Sequence, residues 1–150
     1  MKKKIMIAGT FDILHPGHIY LINEAAKLGE VYVVVATDKN RKLYSGKSPI
    51  VSEDQRLEII KNVKNVKKAV LGRKDNNTLK TVEEIDPDIV LLGPDQNFDE
   101  KKLQTALRER GLKSLEVRRL NTFYEKFQLN SSSKIKNKIF KTYLQDENEL

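Results

Sequence analysis

His15 and His18 are the only histidines in this chain, and they stand three residues apart on either side of Pro16-Gly17. That spacing is close to one helical turn, so both imidazoles share one side of a pocket if a helix begins near Pro16. Proline suits a first helical position because its missing N–H would be an orphan there, and Gly17 leaves room for a phosphate or a backbone segment to approach. Thr10 adds a hydroxyl just upstream. Imidazoles, neutral or protonated, donate hydrogen bonds to phosphate oxygens, and such donors count most where charge gathers in a transition state. Two plainer readings compete. The pair can simply cap a helix, or it can seed a metal site, but the chain has no cysteine and no third ligand at suggestive spacing.

The elements around the pair favour phosphate. Ile5-Met6-Ile7-Ala8 is an apolar run that breaks at Gly9, and an amphipathic pattern starts at Ile19, so the order is strand, loop, helix. In an open α/β sheet, ligands lie at the carboxyl ends of the strands, where a helix start turns unpaired N–H groups and its positive dipole end toward an anion.

The rest of the chain repeats the alternation. Val31 to Ala36 reads as a strand covered on both faces, and Thr37 to Pro49 as a long polar loop whose cations, Lys42 and Lys47 among them, leave the carboxyl end of that strand. Ser52 to Gln55 is a capping box for a helix that carries Arg56 and buries Leu57 and Ile60. Arg56 either reaches a substrate or pairs with an acidic neighbour. Ala69-Val70-Leu71 is a short strand, Asn77 to Ile85 a helix, and Ile89 to Leu92 a buried strand running into Gly93-Pro94-Asp95-Gln96. That loop faces the first across the crevice, making its backbone and Asp95 candidates for a base or ribose; an ordinary turn explains it equally well. Asp99 caps the next helix, Leu115 to Leu120 is an edge strand, and Ser131-Ser132-Ser133 opens the last helix. Between them Phe123, Tyr124 and Phe127 sit in a polar loop, where aromatics stack on a flat ring or pack on one another. The result is a single α/β domain over residues 1–145 with a frayed tail at 146–150: a Rossmann-like, doubly wound, five-stranded parallel sheet in the order 3-2-1-4-5.

Composition bounds the class. At 150 residues with 39% hydrophobic content the chain builds one core, and zero cysteines exclude disulfides and thiolate chemistry. No apolar run is long enough for a membrane span, and Met1-Lys2-Lys3-Lys4 leads straight into a strand pattern, so the expected location is the cytoplasm. The net charge of +7 favours anionic partners. A nucleoside triphosphate fits better than nucleic acid, because no basic strand interleaved with aromatics appears.

Gly9-Thr10-Phe11-Asp12 followed by His15-Pro16-Gly17-His18 resembles the signature of the cytidylyltransferase-like nucleotidyltransferases. Within them, Leu92 to Gln96, Phe98-Asp99-Glu100, Pro49-Ile50-Val51 with Glu53 to Arg56, and Ser131-Ser132 look like the archaeal-type FAD synthase family. The resemblance implies transfer of AMP from ATP to FMN, giving FAD and pyrophosphate, with Mg²⁺ or another divalent cation accompanying ATP. His15 and His18 are then catalytic donors. Gly9, Thr10, Phe11, Pro16, Gly17, Asp95 and Tyr124 join them around the nucleotide. Lys42 or Lys47, Arg56, Ser131 and Ser132 neutralise the leaving pyrophosphate. The resemblance also points to a homodimer. The competing readings are a glycerol-3-phosphate cytidylyltransferase, a sugar-phosphate or lipopolysaccharide-pathway nucleotidyltransferase, and a regulatory domain that only binds a nucleotide.

Overall fold

In the computed structural model, residues 1–144 are described, and the expected frayed tail at 146–150 lies outside them. Five strands, β1 (Lys4–Gly9), β2 (Glu30–Val35), β3 (Val66–Leu71), β4 (Ile89–Leu92) and β5 (Glu116–Arg119), form one parallel sheet in the order β3-β2-β1-β4-β5. Both the order and the parallel pairing match the expectation from sequence. Helices α1 (Pro16–Ala26), α3 (Glu53–Lys61), α4 (Thr78–Ile85) and α5 (Glu100–Glu109) supply the crossovers, and α6 (Ser132–Ile139) continues into a π-helical turn at Phe140–Leu144.

Alternation along the strands divides the core in two. Ile5 and Ile7 of β1 join Val31, Val33 and Val35 of β2 against Ile22 and Ala25 of α1 and Ile60 of α3. Met6, Val34, Val90 and Leu92 face the other way, onto Val82 of α4 and Leu107 of α5. A strand buried on both faces must be apolar at every position, which is why β1, β2 and β4 read as continuous hydrophobic runs. β5 sits at the edge and alternates, with Val117 and Arg119 half-buried and Glu116 and Arg118 exposed.

Three elements depart from the sequence reading. The polar segment after β2, expected as a loop, contains helix α2 (Asp38–Ser45), capped by the Thr37 hydroxyl accepting from Asn40 N and closed by Gly46 at φ 75°. Glycine is the natural residue there, since the left-handed cap costs it no Cβ clash. No residue of α2 is buried, so no apolar periodicity marks it. β3 starts at Val66 rather than Ala69, because an edge strand tolerates the exposed Lys67 and Lys68. The last helix, opened as expected at Ser131-Ser132-Ser133, is regular only to Ile139 and widens into the π-helical turn beyond it.

Candidate active site

The loop between β1 and α1 is strained and tightly held. Phe11 and Ile13 both adopt left-handed backbone, at φ 54° and 51°, a costly conformation for a bulky or β-branched residue unless its surroundings fix it. Asp12, between them, does the fixing. Its carboxylate is 4% exposed and accepts from Ile50 N and Val51 N, each at 2.9 Å, while Lys136 Nζ of α6 pairs with it at 2.9 Å. The Ser132 hydroxyl donates to the Asp12 carbonyl. Burial works against the Asp12 charge, but the two amides and the Lys136 ammonium outweigh it and hold its pKa below the usual carboxylate range.

Arg56 secures the same loop from behind. It is 1% exposed; Nε donates to the Val51 carbonyl at 2.8 Å, Nη1 to the Thr10 and Ala36 carbonyls at 2.7 Å, and Nη2 to Asp38 Oδ1 at 2.7 Å. This corrects the expectation that Arg56 meets phosphate. Of the two roles open to it from sequence, pairing with an acidic neighbour is the one the fold adopts, and it grips three backbone carbonyls besides.

His15 and His18 come together as the spacing requires. His15 is the N-cap of α1, its Nδ1 accepting from Gly17 N at 3.0 Å, and His18 Nδ1 accepts from His15 N at 3.3 Å. The rings stack with centroids 3.6 Å apart, and Phe11 packs edge-on against His18 at 5.2 Å. A backbone N–H can only donate, so each Nδ1 is an unprotonated acceptor and each ring carries its proton on Nε2. Burial pushes His15 below its ordinary pKa, against an upward pull from the Asp95 carboxylate. Burial and then the neighbouring His15 push His18 down to about 3, with Asp12 pulling the other way. Capping and donating are therefore not alternatives: one nitrogen of each ring caps, and the other is left for a ligand.

Two results follow. Because the chain has only these two histidines, imidazole ¹⁵N–¹H spectra assign them directly. Both rings are expected as the neutral Nε2–H tautomer at neutral pH, with His18 unprotonated down to about 3; a His18 midpoint near 6.5 would refute the anchoring. The unfolded chain protonates at the ordinary value, so it binds more protons than the fold between about 6.5 and about 3, and stability falls as pH falls through that window. Gly17 is closely packed at the same helix start. A Cβ there would lie 2.6 Å from the Asn130 carbonyl oxygen and 2.9 Å from the His15 ring, so the room at Gly17 is filled by backbone. Gly17→Ala is expected to misplace His15 and lower kcat/KM by about 10²-fold, read by steady-state kinetics.

The second loop, after β4, lies across the crevice. Asp95 is exposed and near enough to act on His15. Gln96 ties this loop to β1, and Arg119 of β5 donates to the Gly93 and Gln96 carbonyls at 2.9 and 2.8 Å. Ser131 caps α6, its hydroxyl accepting from Lys134 N at 3.1 Å, so Ser131 and Ser132 are already engaged within the protein. What remains at this helix start is its first amides, which have no intrahelical acceptor. Lys42 and Lys47 are exposed on α2 and the turn after it, and the Tyr124 ring packs near Tyr20 and Phe127, at 5.8 and 6.2 Å.

Asp12, Gln96, Lys136 and Arg119 were not among the sequence candidates. Asp12 and Gln96 lie inside the two loop motifs, where a carboxylate between apolar Phe11 and Ile13 was the available signal. Nothing marked Arg119, one of two adjacent arginines on an edge strand.

Among the described residues no three His, Asp or Glu side chains gather to hold a metal, and no helix is long and apolar enough to cross a membrane. The cytidylyltransferase-like family model matches residues 6–138. An FAD synthase from Methanobrevibacter smithii is 50% identical over 93% of this chain and 92% of its own length. One from Aciduliprofundum boonei is 46% identical over 88% and 87%. A solved structure described as a lipopolysaccharide core biosynthesis protein from Thermoplasma volcanium superimposes with a TM-score of 0.78 at 41% identity, covering 83% of this chain and 100% of that one.

Proposed function

Since this chain belongs to the cytidylyltransferase-like family of nucleotidyltransferases, we propose that the group it transfers is AMP, from ATP to the phosphate of FMN, giving FAD and pyrophosphate. The observation that carries this is the stacked pair of neutral imidazoles, each anchored through Nδ1 at a helix start beside the crevice. The relatives named FAD synthase, which align over most of the chain, support the choice of substrates.

An oxygen of the FMN phosphate attacks the α-phosphorus of ATP in line. As that P–O bond forms, the bond to the β-phosphate oxygen breaks, and pyrophosphate leaves with the electron pair. The Nε2–H groups of His15 and His18 donate to the crowded α-phosphoryl oxygens, where donors are worth most. Gly9, Thr10 and the Phe11 backbone, with Pro16 at the helix start, line the phosphates, and Gly17 holds the His15 ring in place beside them. Lys42 or Lys47 and the α6 start at Ser131-Ser132 take the charge of the pyrophosphate, Asp95 meets the ribose or base, and Tyr124 offers a face to a flat ring. No enzyme nucleophile is required, because binding aligns the two anions. With no cluster of three acidic or histidine ligands among the described residues, a divalent cation such as Mg²⁺ would come in on the triphosphate and, when bound, would offset part of its charge. We place the reaction in the cytoplasm and assign a homodimer as its assembly, the state the resemblance supports.

Pyrophosphate release, measured with ATP or CTP against FMN, glycerol 3-phosphate, phosphopantetheine and sugar phosphates, tests the reading. ATP with FMN is expected to exceed every other pair. Turnover only with a sugar phosphate would favour a role in lipopolysaccharide core biosynthesis, the one ascribed to the Thermoplasma relative, and nucleotide binding without turnover would make the chain a regulatory domain.

A further inference from the structure

β1 and β4 part just where they should continue to pair. Their register sets Ile5 against Ile89 and Met6 against Val90. Carried upward it sets Ala8 against Leu92, and the next rung of a parallel ladder then runs from the Gly93 amide to the Ala8 carbonyl. The side-chain amide of Gln96 occupies that rung instead. Its Oε1 accepts from Gly93 N at 2.6 Å and its Nε2 donates to the Ala8 carbonyl at 2.9 Å. A primary amide carries donor and acceptor side by side, so it satisfies both strand atoms while holding them apart by its own width. Behind it, Arg119 donates to the carbonyls of Gly93, Gln96 and Phe98 and pairs with Glu100, which ties the loop to β5.

The gap opens at the carboxyl ends of β1 and β4, the neighbouring strands from which the chain winds off in opposite directions. That is where an open α/β sheet takes its ligand. On the β1 side it meets the loop leading to His15, and on the β4 side Asp95, whose charge His15 feels. We propose that Gln96 is a positioning residue whose amide wedges β1 and β4 apart and so sets the width of the slot that receives the nucleoside of the triphosphate. This rests on the nucleotidyltransferase reading above.

The wedge predicts opposite effects on binding and on stability. In Gln96→Ala the Gly93 amide and Ala8 carbonyl pair directly, the ladder gains a rung and the slot narrows. The triphosphate KM is expected to rise about tenfold or more, kcat to change less than about threefold, and resistance to urea to be retained or increased. Gln96→Glu keeps the bulk and an acceptor for Gly93 but sets a carboxylate oxygen against the Ala8 carbonyl. It is expected to lose stability while the triphosphate KM stays within about threefold of the parent. A residue that merely braces the sheet would instead lose stability in the alanine variant with KM unmoved; that result, or failure of Gln96→Ala to fold, overturns the wedge. If the parent protein makes FAD and Gln96→Ala keeps its KM, the wedge falls and the proposed function stands. If the parent turns over no acceptor, the function falls first. Calorimetric ATP affinities of the parent and Gln96→Ala then decide the wedge, with equal affinities or no binding to either overturning it.

Discussion

His18→Ala is expected to lower kcat by about 10²–10³ while leaving the KM for ATP little changed, the pattern of a donor used mainly in the transition state. The ring is well placed for it: its Nδ1 is occupied by His15 N, and its pKa is pushed down to about 3, so at neutral pH it is a neutral Nε2–H donor needing no proton from solvent. Neutrality has a consequence for the reaction. A neutral donor can grip an oxygen as negative charge builds and release it afterwards, whereas an imidazolium would also hold the pyrophosphate. His18 closes the first turn of α1 as well, so alanine there costs about 1 kcal/mol of stability through the lost cap. Steady-state kinetics beside urea unfolding separate the two effects. A variant with an unchanged rate would remove His18 from the chemistry.

Arg56→Met is expected to have the largest effect on folding, destabilising the protein by about 3–5 kcal/mol. Methionine fills much of the volume but abandons the Thr10, Ala36 and Val51 carbonyls, which are left without the guanidinium that served all three. Asp38 suffers less, since its side chain is 37% exposed and can turn to water. Arg56→Lys does not restore the loss, because a single ammonium cannot reach acceptors on several sides as the planar fork does. Urea midpoints of both variants check this. A loss below about 1 kcal/mol in Arg56→Met, together with a raised KM for ATP, would return Arg56 to the phosphates.

Both variants bear on one arrangement. The strained turn at Phe11 and Ile13 holds the histidines only because Asp12 is gripped by Ile50, Val51 and Lys136, and Thr10 by Arg56. The segment after β2 and helix α6 are thereby tied to the loop that carries the donors. The basic residues proposed for the pyrophosphate thus ride on elements registered to the imidazoles.

Local residue pattern was enough to specify the sheet. Runs such as Val31 to Val35 and Ile89 to Leu92, apolar at every position, demand cover on both faces, and right-handed crossovers through helices leave the order 3-2-1-4-5 as the natural arrangement. The meeting of His15 and His18 at a helix start was legible too, because a three-residue spacing after Pro16 is a local property. Other features arise only from long-range contacts. Arg56 and Asp12 are buried only because segments 46 and 38 residues away in sequence fold over them, a fact no local pattern encodes. The neutral state of both imidazoles depends on burial, which neighbouring residues in sequence do not disclose. The parting of β1 from β4 depends on Gln96 reaching back 88 residues to Ala8, and only the assembled sheet sets those two atoms one amide apart.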